Sequence, residues 1–429
     1  MKIGFVSLGC SKNLVDSEEM MGMLKAAGHI LVSDPRQAEV IIVNTCGFIN
    51  PAKEESINTI FEMTRYAEKV IVTGCLAQRY EDVLRKEIPE VAAVIPIRDY
   101  PKLPHILKDL LNQDEEVPYV KSYRTISGNP WSAYIKISDG CSNHCTFCAI
   151  PLIRGEQKSK LIAEVREEAE FLASAGVREI TLIAQDTTKY GLDNYGQLML
   201  AKLIRELDDI DGIHWIRILY MYPDEIEDEL LEAMRSSSKV VPYFDIPMQH
   251  ANNRLLKMMN RRGTKEDVKA LVAKIRAMFP EAVLRTTAIV GFPSETEEDF
   301  SELLDFIREV RWDRLGAFTY SKEEDTPASR LPMEVDEAVA AERLNRLMEV
   351  QKEISQESNL KKIGKTYEVL VEEKEALTGR YRGRSIADAP DEVDGQVIFT
   401  SELPIEPGTF VPVRVTDATQ YDLIGIYEG

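Results

Sequence analysis

Over the first 110 residues short apolar runs alternate with longer amphipathic stretches. KIGFVSL leads into SEEMMGMLKAAG, EVIIVNT into AKEESINTIFEMTRYA, and KVIVTG into RYEDVLRKEI. This βαβα rhythm predicts a parallel sheet with right-handed crossovers, and Gly28 is a suitable residue to end the first helix. Residues 111–130 lack periodicity and contain Pro and Gly, which predicts a linker. From Trp131 the rhythm restarts. AYIKIS, EITLIAQ, WIRILYM, YFDIPM, LRTTAIVG and LGAFTYS predict six strands, with helices such as AEVREEAEFLASAG and KEDVKALVAKIRAMF between them. That series suits a partial (β/α)6 barrel with its reactive loops at the C-terminal strand ends. Residues 334–362 predict a long charged helix with apolar positions at Val339, Leu344, Leu347, Val350 and Ile354. From 364 to 429 the pattern turns to short strands, YEVLVEE, GQVIFTS, FVPVRVTDA and DLIGIYE, which predict a small antiparallel, OB-like β-barrel. The expected fold class is α/β, in three domains: 1–110, 131–363 with its C-terminal helix, and 364–429.

Composition narrows the class without naming a function. Apolar content of 44% and charged content of 29% are those of a globular protein. No run of 18 or more apolar residues appears, so no membrane span is expected. The start, MKIGFVSLGCSKN, is too quickly polar for a signal peptide, and a cytoplasmic location is expected. In that compartment six cysteines point to metal binding or catalysis before disulfides. The net charge of −20 argues against passive docking on a phosphate backbone and is compatible with a basic partner.

The six cysteines fall into two triplets. Cys141, Cys145 and Cys148 form C-x3-C-x2-C directly after the predicted strand AYIKIS. Zinc would want a fourth ligand and paired spacing, for which His144 is the candidate. Three buried thiols without a function are the bland alternative. Cys10, Cys46 and Cys75 each follow a strand in FVSLGC, IIVNTC and VIVTGC. Any one of them alone reads as a core residue. In a parallel sheet, however, the C-terminal strand ends share one edge, so all three thiols should meet on one rim. Three thiolates suit an iron–sulfur cluster with one open iron.

C-x3-C-x2-C with Phe147 before the last cysteine resembles the radical S-adenosylmethionine superfamily. Together with LGCSKNLVDSE, NTCGFI, TGCLAQRY, IPMQH and IVGFPSETEEDF, the whole chain resembles the methylthiotransferase family. That resemblance implies an N-terminal cluster domain, a radical barrel and a C-terminal TRAM module. It implies two [4Fe–4S] clusters, one held by Cys141, Cys145 and Cys148 and one by Cys10, Cys46 and Cys75. S-adenosylmethionine would be both radical source and methyl donor, and the N-terminal cluster would carry the sulfur. A reduced electron donor and a sulfur donor are implied partners. Phe147 and the strand-end residues Gln185, Asp186, Gln249, His250 and Arg285 are candidate cofactor contacts, each with a rival reading as a polar cap or turn residue. Glu295 reads better as an acid at a helix N-terminus. One departure is visible: where the family often shows R-G-x-x-R-S-R, this chain keeps Arg154 but has Lys158 and Lys160, which lack arginine's planar fork.

Two family branches differ in target: an adenosine of tRNA, or the β-carbon of an aspartate in a basic small-subunit ribosomal protein, protein 12. Residues 364–429 carry 13 acidic and 6 basic residues, and ADAPDEVDG gathers Asp388, Asp391, Glu392 and Asp394. An RNA-gripping module should be basic with interleaved aromatics, so the acidic module favours the protein target. The patch Arg380-Tyr-Arg-Gly-Arg384 is the counter-signal for RNA. An iron–sulfur electron carrier or a metal-stabilised RNA-binding module is the non-enzymatic alternative.

Overall fold

The computed structural model describes residues 1–111, 124–391 and 393–429. Most of the predicted linker, 112–123, and Glu392 lie outside the described residues. The N-terminal sheet has the parallel order β2-β1-β3-β4-β5, with β1 Lys2–Ser7, β2 Ile30–Val32, β3 Val40–Thr45, β4 Lys69–Gly74 and β5 Ala93–Pro96. Every residue of β3 is buried, as a central parallel strand covered on both faces requires. The first helix, Ser11–Ala26, begins at Cys10 and is followed by Gly28 at φ +81°.

All six predicted barrel strands form: β6 Ser132–Lys136, β9 Glu179–Ile183, β10 Trp215–Ile218, β11 Tyr243–Asp245, β12 Val283–Val290 and β13 Arg314–Thr319. A small ribbon of β7 Ser138–Asp139 and β8 Lys158–Ser159 brackets the C-x3-C-x2-C loop. The parallel sets β6-β9-β10 and β11-β12-β13 meet at a bridge between Ile216 and Val240, so the strands curve round in chain order. Thr264 and Thr296 cap the outer helices Lys265–Met278 and Glu297–Val310, each with an aspartate three residues on. Glu295 therefore does not serve as the helix-start acid; Thr296 holds the cap.

The C-terminal module is a closed barrel, β14-β15-β16-β18-β17, with β14 Thr366–Lys374, β15 Tyr381–Arg384, β16 Val397–Thr400, β17 Phe410–Ala418 and β18 Leu423–Tyr427. Its acidic loop corrects the reading of an exposed docking face at Asp388 and Asp394, which are turned inward, while Asp391 is exposed. Asp388 pairs with Arg314 at 2.9 Å, Asp394 accepts from the Tyr243 hydroxyl at 2.6 Å, and Asp391 accepts from the Tyr134 hydroxyl at 2.6 Å. Arg384 reaches Glu179, which also holds Arg217 at 2.9 Å. Arg314, Tyr243 and Glu179 are the first residues of their strands, and Tyr134 and Arg217 lie further along theirs, so the loop plugs the barrel from its N-terminal end. The RNA patch is partly taken up in the same way: Tyr381 is buried in its own barrel, Arg384 is in the plug and the partly exposed Arg382 pairs with Glu375, while Arg380 is exposed. Among the described residues no helix is long and apolar enough to cross a membrane.

Candidate functional site

At the opposite end of the barrel the two cysteine-bearing rims face each other. Cys10 is the residue before the first helix, Cys46 follows β3, and Cys75 opens the short helix Cys75–Arg79 after β4. The three loops touch. A Cβ added to Gly9 would stand 2.8 Å from Cys46 Cβ, and one on Gly47 would stand 2.9 Å from the Cys75 carbonyl carbon. The glycines thus let these loops approach one another, which is how the sheet edge gathers the thiols. Cys10 is exposed, Cys46 half-buried and Cys75 buried.

The second rim is the loop after β6 and β7. The Cys141 N–H donates to the Gly155 carbonyl, and the Cys148 N–H to the Cys145 carbonyl, both at 3.0 Å. His144 does not complete a zinc set. Its ring is largely exposed and lies 3.4 Å from Glu156. Burial pushes the thiols of Cys75 and Cys148 up to about 12 and that of Cys141 to about 11. They are thiols by themselves, and a coordinating metal would deprotonate them. Among the described residues no three His, Cys, Asp or Glu side chains stand close enough to hold one metal ion. A four-iron cluster is wider than one ion and spreads its ligands, so two thiol-only triplets on open rims fit a cluster better than zinc.

Arg154 ties the rims together. Its Nη2 donates to Asn13 Oδ1 at 2.7 Å and to Asp16 at 2.9 Å, and its Nη1 donates to Asp139 at 3.0 Å. Lys136 bonds the same two aspartates. Asn13 and Asp16 belong to the first helix, and Arg154 closes the short helix after Cys148. Cys75 packs against Ala149 and Ile153 in the same junction. Lys160 meets Glu168 at 2.7 Å through one ammonium, and Lys158 is exposed, so neither makes a bidentate contact. Arg124, within the predicted linker, is a buried anchor joining Glu18 of the first helix to Glu168.

A cavity of about 760 Å³ opens between the N-terminal domain, the barrel mouth and the long helix Glu337–Leu360, lined by Phe48, Phe147, Gln249, Tyr320 and Glu323 among others. Two candidate contacts, Phe147 and Gln249, therefore face it. Gln185 is half-buried at the end of β9 and does not line it. Asp186 orients the C-x3-C-x2-C loop, accepting from Asn143 at 2.7 Å. His250 is buried, its Nδ1 accepting from the Asn252 N–H at 2.9 Å and its Nε2 lying 3.6 Å from Glu295. Glu295 braces the Gly291 N–H and Arg343. Arg285 points into the barrel, pairing with Asp245 at 2.9 Å and lying 3.5 Å from Asp394. Sequence reasoning missed Arg261, whose Nη1 lies 3.7 Å from Cys145 Sγ, and Lys189, which holds Asn143 at 2.6 Å. A lone basic residue far along the chain carries no spacing signal to a cysteine loop.

Three stretches of the chain match known families. Residues 2–96 match an uncharacterized protein family, UPF0004; residues 135–307 match the radical SAM superfamily; residues 363–427 match the TRAM domain. The ribosomal protein uS12 methylthiotransferase RimO of Clostridioides difficile is 50% identical over 443 residues, covering 100% of this chain and 99% of the relative. The protein of the same name from Caldicellulosiruptor saccharolyticus is 48% identical, with 99% of each covered. Among solved structures, the radical S-adenosylmethionine methyltransferase TsrM from Kitasatospora setae, with cobalamin and a [4Fe–4S] cluster bound, aligns at a TM-score of 0.57 and 15% identity over 76% of each chain. That likeness concerns the fold.

Proposed function

Because the chain belongs to the ribosomal protein uS12 methylthiotransferase family, we propose that it places a methylthio group on the β-carbon of one aspartate of that basic ribosomal protein. Two [4Fe–4S] clusters and S-adenosylmethionine, when bound, supply the radical that removes the β-hydrogen and the methylthio group that replaces it. Cys141, Cys145 and Cys148 would hold the radical-generating cluster, and Cys10, Cys46 and Cys75 the sulfur-carrying one. A reduced electron donor and a sulfur donor are the further partners of this reading, and the reducing cytoplasm is its setting.

The observation that carries it is the face-to-face placement of the two rims across Arg154. A radical centre and a sulfur centre must reach one carbon atom, and this chain bolts their loops together through a buried ion network. Phe147 and Gln249 bound the adjoining cavity, where water is partly excluded and a substrate loop can enter. Among the described residues the basic patch is largely taken up within the protein, with Tyr381 buried, Arg384 paired to Glu179 and Arg382 to Glu375, which leaves Arg380 exposed. The test is a substrate swap. The reconstituted enzyme is incubated with uS12 or with unmodified tRNA, and mass spectrometry should show a gain of about 46 Da, SCH3 for H, on uS12 alone. Modification of tRNA alone would refute the assignment.

A further inference from the structure

Lys12 is a buried ammonium whose partner is a ring rather than an acid. It lies in the first turn of the helix Ser11–Ala26, two residues after Cys10, and is only 3% exposed. Its Nζ sits 3.0 Å from the centroid of the Tyr220 ring. Among the described residues no carboxylate oxygen lies within 4.0 Å of it. The other cations of this junction are satisfied differently: Lys136 and Arg154 share Asp16 and Asp139. Tyr220 is rigidly presented. Its N–H donates to Asp245 at 2.9 Å, and its carbonyl accepts from the Thr187 N–H at 3.0 Å. Its φ of +60° is the left-handed region, which a bulky residue adopts only when its surroundings hold it there. The ring face offsets only part of the cost of burying an ammonium. An anion arriving at this spot would complete it, and the spot lies between the N-terminal thiol rim and the C-terminal end of β10.

We propose that Lys12 receives the side-chain carboxylate of the aspartate being modified, with the Tyr220 ring setting the position of the ammonium. This rests on the function proposed above. In aspartate the carboxylate is bonded directly to the β-carbon, so pairing it with one fixed ammonium places the reacting carbon one bond away. It also makes Lys12 a specificity-determining residue, because asparagine offers the same shape without the charge. Two other anions have the same chemistry, the carboxylate of S-adenosylmethionine and the thiolates of the neighbouring rim, and the test separates them.

Binding of uS12 to the reconstituted holoenzyme is measured by calorimetry without reductant, so that no turnover occurs. The wild-type enzyme should bind uS12 about tenfold or more tighter than uS12 carrying asparagine at the target position. Lys12→Met keeps the aliphatic stem on the ring; it should bind both proteins equally, with unchanged S-adenosylmethionine affinity and cluster absorption. Lys12→Arg should recover part of the discrimination. Should Lys12→Met not fold, Lys12→Gln carries the same comparison. Undiminished discrimination in the neutral variant overturns the proposal, as does a wild-type enzyme that binds both proteins equally. A variant whose only loss is in cofactor affinity or cluster absorption overturns it too, and assigns the ammonium to that other anion. A wild-type enzyme that binds no uS12 removes the proposed function itself, and this inference with it.

Discussion

Arg154→Met should weaken the junction between the two cysteine-bearing domains by about 3 kcal/mol, toward the lower end of the range for breaking a buried ion pair. In the native junction two cations, Arg154 and Lys136, face two carboxylates, Asp16 and Asp139. Removing Arg154 leaves two carboxylates sharing one ammonium, hence one unbalanced charge. The side chains of Arg154 and Asp16 are each 1% exposed, so water cannot replace the lost bonds there. Asp139 is 31% exposed and partly solvated, which places the loss at the low end. Arg154→Lys retains the charge but one ammonium cannot span Asn13, Asp16 and Asp139 as the fork does, so about half the loss should remain. Adding Asp16→Asn to Arg154→Met restores neutrality and should recover about 1 kcal/mol or more. Urea unfolding followed by tryptophan fluorescence reads all three: at a slope of about 3 kcal/mol/M, the methionine variant should lose about 1 M in midpoint. A loss below about 1 kcal/mol would show that Lys136 alone balances both acids and would refute the bolt.

Glu179 supplies a pH prediction. Burial alone would raise its carboxyl, but Arg384 and Arg217 override it and pull it from 4.5 down to about 2. A depressed carboxyl stabilises above its unfolded value and loses that stabilisation as pH falls, so acid unfolding between pH 4.5 and 2 should weaken by on the order of 3 kcal/mol in Glu179→Gln relative to wild type. Asp388→Asn leaves buried Arg314 without its acid and should lower the melting temperature by several degrees, with uS12 affinity unchanged; lost affinity at native stability would instead restore the docking-face reading. Iron analysis after anaerobic reconstitution should give about eight irons per chain, falling to about four in Cys46→Ala. Cys145→Ala should abolish reductive cleavage of S-adenosylmethionine, and retained cleavage would remove the radical assignment.

The strands and the gathering of the dispersed cysteines are legible in the sequence because both follow from local pattern. A Val/Ile run buried on both faces must be a central parallel strand, and parallel strands end on one edge. Cys10, Cys46 and Cys75 inherit their common rim from that rule alone. Lys12, Arg261 and Arg124 are not legible, because each is placed by a partner more than a hundred residues away, Tyr220, Cys145 and Glu18. Gln249 and His250 show the limit within a single motif. They are adjacent in IPMQH, yet Gln249, at φ +73°, lines the cavity while His250 turns into the protein toward Glu295.

The acidic loop shows why charge counted along a chain misleads about surfaces. A run of aspartates is a solvated face only if its counter-charges are in solution. Here Arg314, Arg285 and the hydroxyls of Tyr134 and Tyr243 point into the barrel from alternate strand positions, where a closed core would have carried apolar side chains. Arg314, Tyr134 and Tyr243 take their partners from the C-terminal module, and Arg285 adds Asp394 to the Asp245 of its own barrel. Asp388 and Asp394 thus act on the N-terminal end of the barrel, while the cavity that the proposed substrate would enter opens at the other end. On the proposed function, selectivity for a basic ribosomal protein would therefore be sought first around the cavity and Lys12, and not in Asp388 and Asp394, whose charges are spent inside the barrel.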